Sequence, residues 1–349
     1  MKLQNPKILF AVISLITSIL ACSVPSPTPS ATEIVPVTGQ EVQQPTTVSS
    51  PSATSKSPAE VTIQHKSIPV SLPATRSNHA GDYDSSVSAS KKYATGDRFT
   101  FERFERPFNA NTMDVYYPNL DIVDTFVFQD ETWIYGTMVI KDLSDNSLGG
   151  KYAIELDLDL DGKGDWLIVT SNPASTDWSV NGVLVYEDAN NDVGDHTAMY
   201  TDDKASGDGF EKLVFDQGTG DDTDTAWVRI SPDDPNTIEL AIKRSVLGDP
   251  KRYLINMWAG TSLLDPTLFD INDHFTHAQA GAADPGFELY YPIKAVSELD
   301  NSCRMAVGFQ PTGQEPGLCE TFIPKESSDP SQPVPPQQPP PPQQPPTIN

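Results

Sequence analysis

Tyr152-Ala153-Ile154-Glu155-Leu156-Asp157-Leu158-Asp159-Leu160-Asp161-Gly162-Lys163-Gly164-Asp165-Trp166 is the stretch that decides the fold. From Ile154 to Asp161 apolar residues alternate with acids, the period of a β-strand with two different faces. Asp161-Gly162 is a tight-turn signal and Trp166 opens a second apolar run, so the stretch predicts an antiparallel hairpin. As a strand it would turn Ile154, Leu156, Leu158 and Leu160 to the core. Glu155, Asp157, Asp159 and Asp161 would share the opposite face, spaced about 6.6–7 Å apart. A solvated acidic face is one outcome; because like charges crowded together repel, a compensating cation is the other.

Read as a loop, Asp157, Asp159, Asp161 and Asp165 take the first, third, fifth and ninth positions of an EF-hand-like set of oxygen donors. Gly162 lets the chain wrap. The twelfth position is Ile168 instead of a bidentate Glu, and no helices flank the loop. A β-type site for calcium (Ca2+) is therefore the expectation, not an EF-hand. Asp188, Asn190 and Asp192, after the next apolar run, are the candidates for a second site. Further acidic turns follow at Asp202-Asp203, Asp208-Gly209 and Asp221-Asp222.

Outward from the hairpin, short apolar runs recur at 99–104, 122–128, 132–140, 180–186, 210–215, 226–230, 237–242 and 253–258, with turn residues between them. Long helical periodicity is missing. Many strands without crossover helices argue for an all-β, antiparallel β-sandwich of jelly-roll or Ig-like type with long acidic loops, over residues 96–324.

The flanks differ in composition. Lys2 and Lys7 precede an apolar run, 8–21, too short to span a bilayer as a helix, which needs about 20 residues. The run ends at Ile19-Leu20-Ala21-Cys22, which resembles the bacterial lipobox; the resemblance implies cleavage after residue 21 and lipidation of Cys22. Residues 1–22 are thus expected to be a lipoprotein signal, and the mature chain to be extracytoplasmic and held on the cell membrane. Residues 23–95, rich in Pro, Ser and Thr, read as a disordered tether with a reach of about 45–50 Å as a flexible coil. Residues 325–349 are a disordered Pro/Gln tail. In the tether five acids and five bases cancel, so the formal charge of −25 sits almost wholly on the folded segment. Such a surface repels nucleic acid, which is excluded as a partner. With Cys22 lipidated, Cys303 and Cys319 are left to pair as a disulfide in an oxidising compartment.

The order Asp121-Ile122, then Asp130-Glu131-Thr132-Trp133-Ile134-Tyr135, then Tyr152, Asp157, Asp159 and Gly164-Asp165-Trp166 resembles the family 9 carbohydrate-binding and DOMON-like β-sandwiches. The resemblance covers about residues 121–186 and implies a sandwich that binds a sugar or a haem. A haem would call on Met138 or Met257 with a histidine. Later pieces, such as Gly308-Phe309-Gln310-Pro311-Thr312-Gly313, resemble a bacterial lipoprotein group. Of the tryptophans, Trp178 in Ser175-Thr176-Asp177-Trp178 is expected to be exposed as a ligand-binding face; Tyr290-Tyr291 is the weaker candidate. No nucleophile elbow, zincin helix or phosphate loop is present, and no catalytic residue is assigned. His274 and His277 have a spacing that supplies part of a metal site or simply two surface side chains.

Three functions follow in order. The first is a lipid-anchored surface protein whose calcium-stabilised sandwich binds an extracellular ligand, with glycan the leading class. The second is a structural or protein-interaction module of the envelope. The third is a hydrolase working through paired carboxylates.

Overall fold

Runs rich in Val, Ile, Leu and aromatic residues form the strands, and Gly, Asn and Asp mark the turns between them. The computed structural model describes residues 63–89, 91, 94, 96–97, 103–110, 112–145, 147–193, 207–269, 274–281, 293–313, 315 and 317–319. Among these, five strands form one sheet in the order β1 (Asn78–Gly81), β3 (Ile122–Gln129), β4 (Trp133–Ile140), β11 (Thr237–Lys243), β10 (Ala226–Ile230). Nine form the other. Its path runs β2 (Glu105–Arg106), β13 (Leu299–Asn301), β12 (Tyr253–Gly260), β5 (Lys151–Asp157), β6 (Trp166–Ser171), β7 (Val183–Glu187), β8 (Lys212–Asp216), β9 (Thr219–Gly220), with β14 (Met305–Val307) also paired to β12. The strand pairings are antiparallel, and the molecule is the expected all-β sandwich.

Between the sheets lies a core of Ile122, Ile134, Met138 and Ile140 from one side and Ile154, Leu156, Ile168, Val185 and Met257 from the other. The sheets approach closely at Gly136 of β4, where a Cβ would stand 2.5 Å from Ile154 Cδ1. Any larger residue there would push the layers apart. Met138 and Met257, the sulfurs available to a haem, are wholly buried in this core and serve as packing.

The outer face of the nine-stranded sheet is covered too. Ala153, Leu167, Val169 and Trp258 pack there beneath Phe104, Phe210, Leu263, Leu264 and Phe269 from the connecting segments. This corrects the acidic-face expectation. Glu155 and Asp157 point away from the inter-sheet core, but they enter a second apolar layer instead of water. The strand predicted to reach Leu160 stops at Asp157, and Leu160 turns to φ +70°.

The fold also begins earlier than residue 96. The stretch 63–89, assigned by composition to the tether, contributes edge strand β1 and a helical turn, α1 (Ser86–Ala89). Ahead of β1, Asp224 receives the backbone amides of Lys66 and Ser67 at 2.7 and 2.8 Å and bonds His65 Nδ1 at 2.7 Å. The His65 ring stands edge-on to Trp227, centroids 4.8 Å apart. Polarity misled here because the segment is held by hydrogen bonds more than by apolar burial. At the other end, Cys303 and Cys319 form the expected disulfide, closing a loop that spans 16 residues. In the chain-entropy model such closure contributes about 3 kcal/mol. The segments 1–62 and 320–349, with Cys22, lie outside the described residues.

Because Asp224 is buried and anchors residues 65–67 by three bonds, Asp224→Ala should cost about 2 kcal/mol in urea unfolding and change the fluorescence of Trp227. A variant as stable as the parent would show that the segment is not bound.

Candidate metal centre and the groove beside it

β5 delivers Asp157 at its last position, and β6 starts at Trp166, so the acidic run is the connection of a hairpin with no flanking helix. Asp157 is 2% exposed. Its Oδ1 accepts from Leu160 N at 2.6 Å and its Oδ2 from Gly162 N at 2.8 Å. These two bonds wind residues 158–162 around the carboxylate, and Gly162 at φ +91° allows the winding. Asp165 returns to the strand, its amide donating to Leu156 O and its Oδ2 accepting from Leu158 N, both within 2.8 Å.

The result gathers Asp157, Asp159 and Asp165, with one oxygen of each lying within 4.8 Å of the others. Donors around one calcium-sized ion at about 2.3–2.6 Å are separated by up to about 5 Å, so this trio fits one hard cation. Burial pushes Asp157 up to about 7, against the pull of the Gly162 and Leu160 amides and of Arg304. Burial pushes Asp165 up to about 6, with Asp159 and Asp161 adding repulsion. A cation would remove that penalty by favouring the ionised forms. Asp161 stays outside the trio: it is exposed, and none of its oxygens joins the group that Asp157, Asp159 and Asp165 form among the described residues.

The second predicted site winds its loop in the same way as the hairpin turn. Asp188 Oδ1 accepts from Asn191 N at 2.7 Å and Oδ2 from Val193 N at 2.9 Å, while Asn190 Oδ1 accepts from Asp192 N at 3.1 Å. Asp188 and Asp192 offer carboxylates and Asn190 an amide oxygen. Their loop also braces its neighbour. Asn190 Nδ2 donates to Asp208 Oδ1 at 3.0 Å, Ala189 N to Glu211 at 3.1 Å, and Asp208 N to Asp192 Oδ1 at 3.2 Å. The acidic positions 195, 202 and 203 lie outside the described residues.

Against this brace lies a groove of about 480 Å³ on the outer side of the nine-stranded sheet. Tyr186, Phe210 and Pro266 give it apolar surface; Asp208, Glu211, Asp265 and Thr267 give it oxygen acceptors and a hydroxyl. The acidic hairpin supports it from behind. Asp188 N donates to Asp165 O at 3.0 Å, and a Cβ on Gly164 would come within 2.7 Å of Phe210 Cζ. Sequence reasoning missed the groove because its walls come from strand β7 and two separate connections; no spacing marks them.

Trp178 does not offer the predicted open face. It is half-buried, the Arg229 guanidinium lies 4.4 Å from its ring centroid, its Nε1 donates to Val70 O at 3.2 Å, and the Tyr135 ring is 6.1 Å away. The segment 63–72, distant in the chain, returns to meet it through Val70. Tyr290-Tyr291 and the side chain of His277 lie outside the described residues.

A further carboxylate group was not legible at all: Glu105, Asp121 and Asp300, all buried, with one oxygen of each within 4.8 Å of the others. They stand far apart in the chain and share no motif.

The chain matches no family model, no curated protein and no solved structure, so the resemblance to carbohydrate-binding sandwiches gains neither support nor contradiction.

The raised folded-state values of Asp157 and Asp165 set the sign of a pH effect in chelator. Both groups bind protons more tightly in the fold than in the unfolded chain, so their contribution is present below about pH 4 and is lost as pH rises through about 6 and about 7. Thermal unfolding of the chelated protein should therefore show the parent losing stability relative to Asp157→Asn between about pH 4 and about pH 8. A constant difference across that range would contradict the burial argument.

Proposed function

We propose that this is a lipid-anchored, extracytoplasmic protein whose sandwich, stabilised by calcium at Asp157, Asp159 and Asp165, binds a neutral glycan in the groove between Tyr186 and Asp265. The observation that carries the reading is the stack of hairpin on groove. The carboxylate trio fits a hard ion, and the loop that would wrap that ion packs against Phe210 and Asp188 beneath the groove. An ion there would fix the backbone behind the ligand surface. The partly buried Tyr186 supplies a ring for a sugar face, and Asp208, Glu211 and Asp265 supply acceptors for hydroxyls. The charge of −25 favours a neutral ligand over a polyanion.

A protein partner in the envelope is the second reading. It is favoured by the covering of Trp178 and by the fact that Tyr83 is the one strongly exposed aromatic among the described residues, so no flat aromatic pair is on offer. Catalysis is the weaker case, because the carboxylates of the acidic hairpin are gathered within 4.8 Å, tighter than the about 5–9.5 Å of glycosidase pairs.

Calcium at about a hundredfold excess over its Kd should raise Tm by about 5–10 °C, a shift lost in Asp159→Ala. On a panel of neutral polysaccharides, retention should need calcium and fall by about tenfold or more in Tyr186→Ala. Absence of any calcium shift would sink the metal reading; retention unaltered in Tyr186→Ala would sink the groove. Separately, Cys22→Ser should move the protein from the membrane fraction to the soluble fraction, and unchanged membrane retention would dismiss the anchor.

A further inference from the structure

We propose that Glu105, Asp121 and Asp300, with Asp82 beside them, hold a second hard divalent cation of the calcium class, buried where the two sheets meet and separate from the acidic hairpin. Glu105 and Asp300 are register partners on β2 and β13 of the nine-stranded sheet. Asp82 follows β1 and Asp121 precedes β3 in the five-stranded sheet. Ile122 N donates to Asp300 Oδ2 at 2.7 Å, so the link between the sheets is already made through this carboxylate. An ion held by residues of both would clamp one sheet to the other.

Two observations independent of the clustering point to a ligand. Asp300 is 0% exposed, one of its oxygens belongs to the group with Glu105 and Asp121, and its Oδ1 has no hydrogen-bond partner. Asp82 Oδ2 is likewise buried without a partner. Buried polar atoms in folded proteins are almost always satisfied, and an unpaired carboxylate oxygen in the interior is among the costliest exceptions. Donors orient other oxygens of the group, as the outer shell of a metal site would. Ser85 Oγ donates to Glu105 Oε1 at 2.5 Å, Ser85 N to Asp121 Oδ1 at 3.4 Å, Tyr116 OH to Asp121 Oδ2, and Tyr83 N to Asp82 Oδ1 at 2.9 Å.

The charge balance agrees. Among the described residues, Arg103 acts on Asp82 and Lys141 on Asp121, and Lys141 is already paired with Asp84 at 2.5 Å. Four carboxylates therefore face a deficit of positive charge. Burial and mutual repulsion hold Glu105 and Asp300 well above the usual carboxylate range and push Asp82 and Asp121 up to about 7. Protons or a cation must supply what is missing. The donors are all oxygens, with no imidazole or thiolate among them, which selects calcium or a similar hard ion over zinc or copper.

The test counts bound calcium per chain, by mass spectrometry of the metal, in the full-length protein equilibrated with calcium and passed through a chelating column. The double variant Asp159→Ala, Asp165→Asn alters only the hairpin and should keep one tightly held calcium. Adding Asp300→Asn should reduce that to none. Should Asp300→Asn fail to fold, Asp82→Asn in the same hairpin variant should weaken the retained calcium by about tenfold or more. No calcium in the hairpin variant, or the same calcium after Asp300→Asn or Asp82→Asn, would overturn the proposal and leave shared protons as the balance. Equal calcium in the parent and the hairpin variant would remove the hairpin site while supporting this one.

Discussion

A β-strand covered on both faces cannot send alternate side chains to water, and the central strands β5 and β12 of the wide sheet are covered on both. The inter-sheet core takes Ile154 and Leu156; the outer layer, roofed by Phe104, Phe210 and Phe269, takes Ala153 and Trp258 and with them the acids Glu155 and Asp157. Each buried acid must then find a partner. Glu155 has Trp258 Nε1 at 2.7 Å and Arg304 at 3.3 Å. Asp157 has only backbone amides and the distant pull of Arg304, which leaves it available to a cation. Double coverage thus turns a strand's polar face into a place that could hold an ion.

The same constraint runs through the rest of the molecule. Arg106, wholly buried, is paired with Asp97 at 2.6 Å and held by the carbonyls of Ala280, Gly281 and Val296. Arg229 joins Glu239 at 2.6 Å and covers Trp178. Such pairs return part of the desolvation cost of burying charge. Among the described residues, carboxylate oxygens converge in the acidic hairpin and in the β2–β13 group.

Much of the fold was legible because it is local. Nine of the ten apolar runs fall on strands, since period-two alternation and Gly, Asn and Asp turns act over a few residues. The short strands β1, β2, β9, β13 and β14 were not, because two to four residues carry no pattern and are defined by their partners. Asp157, Asp159 and Asp165 were legible for the same reason as the turn that joins them. Asp161 was not separable from them by spacing, because which carboxylates of a wound loop converge is set by its backbone dihedrals and not by their order in the chain.

Composition and alternation determined by themselves an all-β chain of antiparallel hairpins, an acidic charge balance and the pairing of Cys303 with Cys319. Only the tertiary structure decided that residues 63–89 belong to the sandwich, that Trp178 is covered, and that Asp188 closes its own loop. It alone brought Glu105, Asp121 and Asp300 together, from segments separated by up to 195 positions in the chain. The reason is physical. Periodicity reports which face of an element is apolar, whereas the layer that covers that face, and the charges buried with it, are set by contacts between distant segments.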